Sequence, residues 1–372
     1  MSQPAQRFLS LDVFRGLAVC LMIIVNTPGP GAELYPWLVH AKWFGFTAAD
    51  AVFPSFLFAV GCSMSFAFLA PISQGAFAVK IMRRASLIFL LGFLMYWYPF
   101  VRQIDGVWSV IPFATTRVMG VLQRIALCYA LAAFAVRYLS PRNLVIASIL
   151  LLLGYWAALL IFGDPAAPFS KLGNAGGRLD LLVIGHGHLY RRGGGFDPEG
   201  LLGTLPATVN VIAGYLCARY LKAAPDLRRA VLRMALVGAC LGFVAWAWNP
   251  VFPVGKKLWT SSFVLLTVGM DLVLLAALAA ALEGLAPNPL ARFFQVFGLN
   301  PLVIYLFSEL FVVTLGLIQV GPGVGAYDWI GVNLFQALAP GPLGALMCAI
   351  AYMLVCWLLG YVLASRKIVV KL

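Results

Sequence analysis

Apolar runs of 16 to 24 residues recur from one end of the chain to the other, separated by short polar stretches. About 20 apolar residues wound as a helix cross the hydrocarbon core of a bilayer. Inside lipid a segment must satisfy its own backbone hydrogen bonds, which a helix does and an open sheet does not. The runs near 11–27, 49–70, 83–100, 118–138, 143–162, 203–221, 230–248, 259–282, 299–319 and 342–364 therefore predict an all-α integral membrane protein of about ten transmembrane helices. Residues 1–372 read as one polytopic membrane domain. Charged residues make up 10% of the chain and hydrophobic ones 62%, against about 25% charged in an ordinary soluble domain, so no soluble domain of useful size is left over. The first apolar run lacks an Ala-x-Ala exit and further spans follow, so it reads as a retained helix and not a cleaved signal peptide. Pro289 to Phe297 reads as a short interfacial helix leading into the ninth span.

The formal net charge is +13, but the basic residues are dispersed among short loops with no concentrated arm or face, which argues against a nucleic-acid partner. Their distribution orients the chain in the bilayer instead. Placing the N-terminus inside gathers Arg15, Lys80, Arg83, Arg84, Arg137, Arg142, Arg228, Arg229, Arg233, Arg366 and Lys367 on the inner side, while Glu33, Asp50, Asp164, Asp180, Asp197, Glu199 and Asp328 fall on the outer side. Both termini are accordingly expected in the cytoplasm. All three histidines, His40, His186 and His188, then lie outside. The longest connection, 163–202, becomes an outer (periplasmic) loop, and a connection of that length is more often functional than a plain linker. Its Lys171, Arg178, Arg191 and Arg192 balance Asp164, Asp180, Asp197 and Glu199, which suits a neutral or singly charged polar ligand. The seven cysteines all lie in apolar runs without a Cys-x-x-Cys pair and read as small buried hydrophobes, with no disulfide framework and no metal site. No internal repeat is visible, which counts against a typical secondary transporter.

Polar side chains inside or beside the spans are the candidates for chemistry, since Arg or Asp at a helix centre costs about 2.5–3.5 kcal/mol on insertion scales. Histidine is the side chain that exchanges a proton near neutral pH without special tuning. His40 lies in the stretch Asn26–Asp50, walled by Trp37, Trp43, Phe44 and Phe46. Two readings stay open for it: an interfacial histidine with its hydrogen bonds satisfied, or a base or nucleophile with the Asn26 amide near a developing oxyanion. Asp50 opens the second span, where a carboxylate suits a helix N-terminus; it serves as a cap alone or it orients His40. Arg15 sits on one helix face with Asp12. Asp271 and Glu309, inside spans eight and nine, read as interhelical hydrogen-bond partners. Lys256 and Lys257, followed by Trp259, read as snorkelling anchors at the outer interface. Gly61 and Ser65 give the second span a small packing face, and such faces permit a homodimer.

Several of these residues carry a resemblance. Ser10-Leu-Asp-Val-Phe-Arg-Gly16, Asn26, His40-Ala-Lys-Trp43 with Gly45, Asp50-Ala-Val-Phe-Pro54 and Gly61 resemble the membrane acyltransferases related to heparan-α-glucosaminide N-acetyltransferase. The likeness continues, in the same order, in Gly120-Val-Leu-Gln-Arg124, His188-Leu-Tyr190, Asp197-Pro-Glu-Gly-Leu-Leu-Gly-Thr204, Leu258-Trp-Thr-Ser261 and Gly298-Leu-Asn-Pro301. The resemblance implies transfer of an acetyl group from cytoplasmic acetyl-CoA, the co-substrate, to the amino group of glucosamine or a glucosamine-containing saccharide outside. The family's catalytic histidine matches His40 and its paired asparagine matches Asn26, although the loop between them here carries Pro28, Pro30 and Pro36. On this reading Arg15, Arg83 or Arg84 attracts the CoA phosphates, and Arg124 contacts CoA or its acetyl end. Trp43, His188, Asp197 and Glu199 contact the sugar, and no metal takes part. The compact bacterial members, which share the absence of the eukaryotic N-terminal luminal segment, place the expectation in a bacterial inner membrane. An amino-sugar transporter using Asp271 or Glu309, and an O-acetyltransferase of envelope glycans, are the rival readings.

Overall fold

A computed structural model describes residues 8–67, 72–104 and 107–370 of the chain. Among them, helices dominate: α1 (Leu9–Asn26), α2 (Ala48–Ala67), α3 (Gln74–Trp97), α4 (Val121–Tyr138), α5 (Pro141–Phe162), α6 (Ala175–Val183), α7 (Thr204–Ala223), α8 (Leu227–Trp248), α9 (Ser261–Leu282), α10 (Pro289–Leu299), α11 (Pro301–Leu317), α12 (Ala326–Ile330) and α13 (Pro342–Ser365). The helix starts are written locally. Ser73, Ser140, Asn174, Asp226, Thr260 and Asn288 each accept a backbone N–H of the first turn, satisfying donors that have no partner inside the helix. Pro141, Pro289, Pro301 and Pro342 occupy first-turn positions where the missing N–H does no harm. Two antiparallel hairpins complete the order: β1 (Val101–Ile104) with β2 (Val107–Val110), and β3 (Gln319–Gly321) with β4 (Val324–Gly325).

Each of the ten expected spans has a helix, although the last residues of the second, 68–70, lie outside the described residues. Seven helices, α1, α2, α4, α5, α8, α9 and α13, are long and apolar enough to cross a membrane unaided. The pair α10 and α11 makes an eighth if counted as one broken span; it bends by 79° at Asn300, where Pro301 begins the next helix. The remaining two have physical reasons to fall short. The first half of α3 carries Lys80, Arg83 and Arg84. α7 is enclosed by α2, α4, α5 and α9, and a helix shielded from lipid by its neighbours can keep buried polar residues such as Thr208 and Asn210. The interfacial helix expected at 289–297 is α10. Six cysteines are buried and Cys240 is exposed.

The core is knit by close backbone approach. A Cβ on Gly61 of α2 would lie 1.9 Å from the Val211 carbonyl oxygen of α7, and one on Gly214 of α7 would lie 2.0 Å from the Phe58 carbonyl oxygen of α2. Small residues facing each other in this way let membrane helices touch along their backbones. The same reciprocity joins Gly16 of α1 and Gly298 of α10. Lipid-type exposure falls on α5 and α8, whose Ile149, Leu150, Ile161, Leu232, Leu236 and Phe243 are exposed.

Contacts between distant loops sort into two ends of the bundle. At one, Ser10 donates to Glu283 (2.6 Å), Arg137 to the Ile72 carbonyl (2.9 Å) and Asn300 to the Ile368 carbonyl (2.9 Å). At the other, the first loop meets the 163–202 connection through Trp43 Nε1 and the Phe169 carbonyl (2.9 Å), and the segment before α4 meets it through Arg117 and Asp197. The long connection is not structureless: it holds α6 and single turns at His186–His188 and Arg191–Gly193.

Candidate active site

α1 ends at Asn26, and Pro28, Pro30 and Pro36 prevent its continuation. A single 3₁₀ turn at Pro36–Leu38 leads to His40, and the chain re-enters the bundle at Ala48. Asp50, in the first turn of α2, is fully buried. Its carboxylate accepts from Ala41 N (3.2 Å), Thr47 N (3.0 Å) and Thr47 Oγ1 (3.1 Å), and Oδ1 lies 2.9 Å from His40 Nδ1. Asp50 therefore does more than cap its helix; it folds the loop back and holds the imidazole. An ionised carboxylate only accepts, so Nδ1 carries the proton and the lone pair belongs to Nε2. The His40 side chain keeps 38% exposure, enough for a ligand to reach it.

Lys256 approaches the same ring, with Nζ 3.1 Å from Nδ1 and 3.1 Å from Nε2. It is presented by a rigid turn ahead of α9. Gly255 N donates to Thr260 Oγ1 (3.0 Å), Thr260 N to the Gly255 carbonyl (3.1 Å) and Ser262 Oγ to the Phe252 carbonyl (2.6 Å). Trp259 inside this turn is fully buried with φ +55°, a left-handed conformation that costs a bulky residue on the order of 1–3 kcal/mol. Partial burial pushes the His40 pKa below its ordinary value; Lys256 adds to this, while Asp50 and Glu199 oppose it. Burial lowers Lys256 to about 8, against the pull of Asp50 and Glu199.

A second polar cluster adjoins the first. Arg117, just before α4, binds Asp197 through Nε (2.9 Å) and Nη2 (2.6 Å), and Nη2 reaches Glu199 Oε2 at 2.5 Å. Its guanidinium lies between the rings of Tyr96 (4.9 Å) and Tyr190 (4.6 Å). Burial alone would raise Glu199; the Arg117 and Arg124 guanidiniums outweigh it and hold the carboxyl below its usual range. Arg124, also buried, donates from Nη2 to the Gly200 carbonyl (3.1 Å) and lies 4.9 Å over the Trp259 ring. Its Nε and Nη1 have no hydrogen-bond partner among the described residues. Asp180 of α6 accepts from Leu201 N (2.8 Å) and is pushed up to about 6, chiefly by burial.

The structure brings His40, Asp50, Glu199 and Arg124 into electrostatic reach of Lys256. Trp43 forms a wall beside Phe44 and Phe196. Asp197 is spent on Arg117, Tyr190 N and Glu199 N, so it braces the loop and is not free for a sugar. The His188 ring sits on the Thr116 carbonyl (2.8 Å) against Phe113. Asn26 is not among the groups hydrogen-bonded to His40; its amide donates to Glu309 Oε1 of α11 at 3.0 Å. At the other end of the bundle, Arg15 reaches Asp12 Oδ1 (3.1 Å) and Ser63 Oγ (3.0 Å) on the wall of a cavity of about 320 Å³ between α1 and α2. Arg83 is exposed, and Arg84 lies over the Tyr129 ring at 5.0 Å. Ser55 Oγ, one turn along α2 from Ala59 of that cavity, lies 2.5 Å from Asp271 Oδ1. Arg117 carries no signal in the sequence beyond its closeness to the Gly120–Arg124 motif, and Lys256, which reads there as a snorkelling anchor, carries none for chemistry beyond its closeness to the Leu258–Ser261 motif.

Residues 7–176 match the family model described as heparan-alpha-glucosaminide N-acetyltransferase, catalytic. Two curated relatives are named heparan-alpha-glucosaminide N-acetyltransferase. The Mus musculus protein is 27% identical over 320 residues, covering 70% of this chain and 47% of its own length. The Homo sapiens protein is 26% identical over 371 residues, covering 84% of this chain and 54% of its own. Over most of its length the chain is similar to proteins named heparan-alpha-glucosaminide N-acetyltransferase. It spans about half the length of these relatives. The stretch matching the N-acetyltransferase catalytic model contains Arg15, Asn26, His40, Asp50, Arg83, Arg84, Arg117 and Arg124, whereas Glu199 and Lys256 fall beyond it.

Proposed function

We propose that the chain is a transmembrane N-acetyltransferase of a bacterial inner membrane, moving acetyl from cytoplasmic acetyl-CoA to the amino group of glucosamine or a glucosamine-containing saccharide on the periplasmic side. The observation that carries this reading is the Asp50–His40 pair: a fully buried carboxylate fixing Nδ1 and leaving an accessible Nε2 lone pair. The similarity to proteins named N-acetyltransferases supports it. In the reaction Nε2 takes the proton of the acceptor amine, or first takes the acetyl group itself. Asp50 stabilises the positive charge that develops on the ring. Glu199, whose Oε2 binds Arg117, and Trp43 are the remaining residues suited to a sugar. The cavity at Arg15 suits the phosphate-bearing end of CoA, with exposed Arg83 as a further attraction, and Ser55 and Asp271 mark the direction of a pantetheine arm along α2.

Purified protein given isotopically labelled acetyl-CoA and glucosamine is expected to form labelled N-acetylglucosamine, and His40→Ala to lower the rate by about 10²–10⁴-fold. Full activity in that variant would remove His40 from the mechanism. Transfer to hydroxyl but not amine acceptors would replace the reading with an O-acetyltransferase. Uptake of already acetylated sugar into vesicles without acetyl-CoA would replace it with a transporter.

A further inference from the structure

We propose that Lys256 is the oxyanion-binding group of this site, acting on the carbonyl oxygen of the acyl donor from the face of His40. The inference rests on the acyl-transfer reading above and adds a residue that neither the motifs nor the relatives assign. The ammonium nitrogen is equidistant from the two ring nitrogens, at 3.1 Å. A point at that range from both cannot lie in the ring plane: on one side it would overlap Cε1, and on the other it would overlap Cγ and Cδ2. The ammonium therefore sits over the face of the imidazole. Asp50 engages Nδ1, so the in-plane lone pair of Nε2 stays open.

This is where an oxyanion needs a donor. When Nε2 attacks a thioester, its lone pair forms the N–C bond and the carbonyl π pair moves to oxygen. Return of that pair breaks the C–S bond and expels the thiolate. The acceptor amine then attacks the acetyl carbon; collapse of this second tetrahedral intermediate breaks the C–Nε2 bond and returns its pair to Nε2, which takes the amine's proton and passes it to the thiolate. If the amine attacks the thioester directly, Nε2 takes the amine's proton and the oxyanion is the same. A tetrahedral carbon held at Nε2 projects substituents toward both faces of the ring, and an oxygen on the Lys256 side meets the ammonium. A fixed charge at that point stabilises the transition state more than the ground state. Asn26, expected to supply this donor, has its amide on Glu309.

The placement is built. Lys257 Nζ donates to the Lys42 carbonyl (2.6 Å) and Gly45 N to the Val254 carbonyl (2.8 Å), so the two flanks of Lys256 clasp the His40 loop at two points. Asp50 from α2, Glu199 from the long connection, Arg124 from α4 and the adjacent Lys257 are the charged groups facing Lys256; Asp50, Glu199 and Lys256 face His40.

The test measures thiol release from acetyl-CoA by the full chain in detergent, with glucosamine as acceptor, across pH. Lys256→Met is expected to lower kcat by about 10²–10³-fold with the KM for acetyl-CoA changed by no more than about threefold. Wild-type kcat is expected to decline as pH rises through about 8, where Lys256 loses its proton. Lys256→Arg, which stays charged, is expected to retain part of the rate and to lack that decline. Lys256→Met with kcat near wild type overturns the assignment, as does a Lys256→Arg variant that keeps the decline; the second result decides the matter even if Lys256→Met does not fold. A wild type that releases no thiol overturns the acyl-transfer reading and this proposal with it.

Discussion

On His40 the opposing influences are resolvable by name. Burial and the Lys256 ammonium disfavour the protonated ring, while the Asp50 carboxylate favours it; the net pKa lies below the ordinary 6.5. The ring is therefore neutral at pH 7, and the acid limb of kcat/KM is expected below 6.5, activity being lost as pH falls through the lowered value. Asp50→Asn removes the supporting charge, so pH–rate profiles should place its acid limb lower still, with kcat reduced by about 10²–10⁴-fold. An unchanged profile would mean that Asp50 only caps α2. His40 and Asp50 were legible in the sequence for simple reasons: histidine is rare in this chain, and a carboxylate at the start of a span is conspicuous. Lys256 was not, because its contact with His40 bridges 216 positions, and a lysine pair beside a tryptophan at a span boundary has the same sequence pattern as an interfacial anchor. The partner of Asn26 was hidden for a related reason: its hydrogen bond to Glu309 bridges 283 positions.

Arg117 ties the acidic end of the 163–202 connection to the segment before α4. Arg117 is the bidentate partner of a wholly buried Asp197 and also binds Glu199. Removing one member of such a pair leaves an uncompensated buried charge, which costs about 3–5 kcal/mol. Arg117→Ala is expected to lower the melting midpoint in detergent and to raise amide hydrogen exchange in residues 186–203, leaving α8 and α9 protected. Arg117→Lys, which keeps the charge but loses the fork, should fall between. Exchange in that loop indistinguishable from wild type would show that the clamp carries no load. The loop's length marked it as functional, but the balance of its charges was read as tuned to a ligand, whereas Asp197 is consumed by an internal partner. Net charge along a segment cannot distinguish the two, since pairing is decided by which residues outside the segment fold against it. The bend between α10 and α11 was more legible, because Asn300–Pro301 both caps and restarts a helix.

Across the whole molecule, hydrophobic run length gave the class of architecture and the position of the long helices, but not of the short α6 and α12. It was less reliable for α3 and α7, where charge and enclosure by other helices change what a span needs. Basic-residue bias assigned loops to sides, and the loop contacts gather at two ends of the bundle: Ser10 with Glu283 at one, His40 with Lys256 at the other. The account requires the acyl donor and the acceptor to meet at His40 from opposite ends of this bundle. Proteoliposomes with one orientation of the chain test this directly, with labelled acetyl-CoA supplied only at the Arg15 end and glucosamine only at the His40 end. The account predicts labelled N-acetylglucosamine in the glucosamine compartment and free CoA in the other. Product formed only when both substrates share one compartment would contradict it.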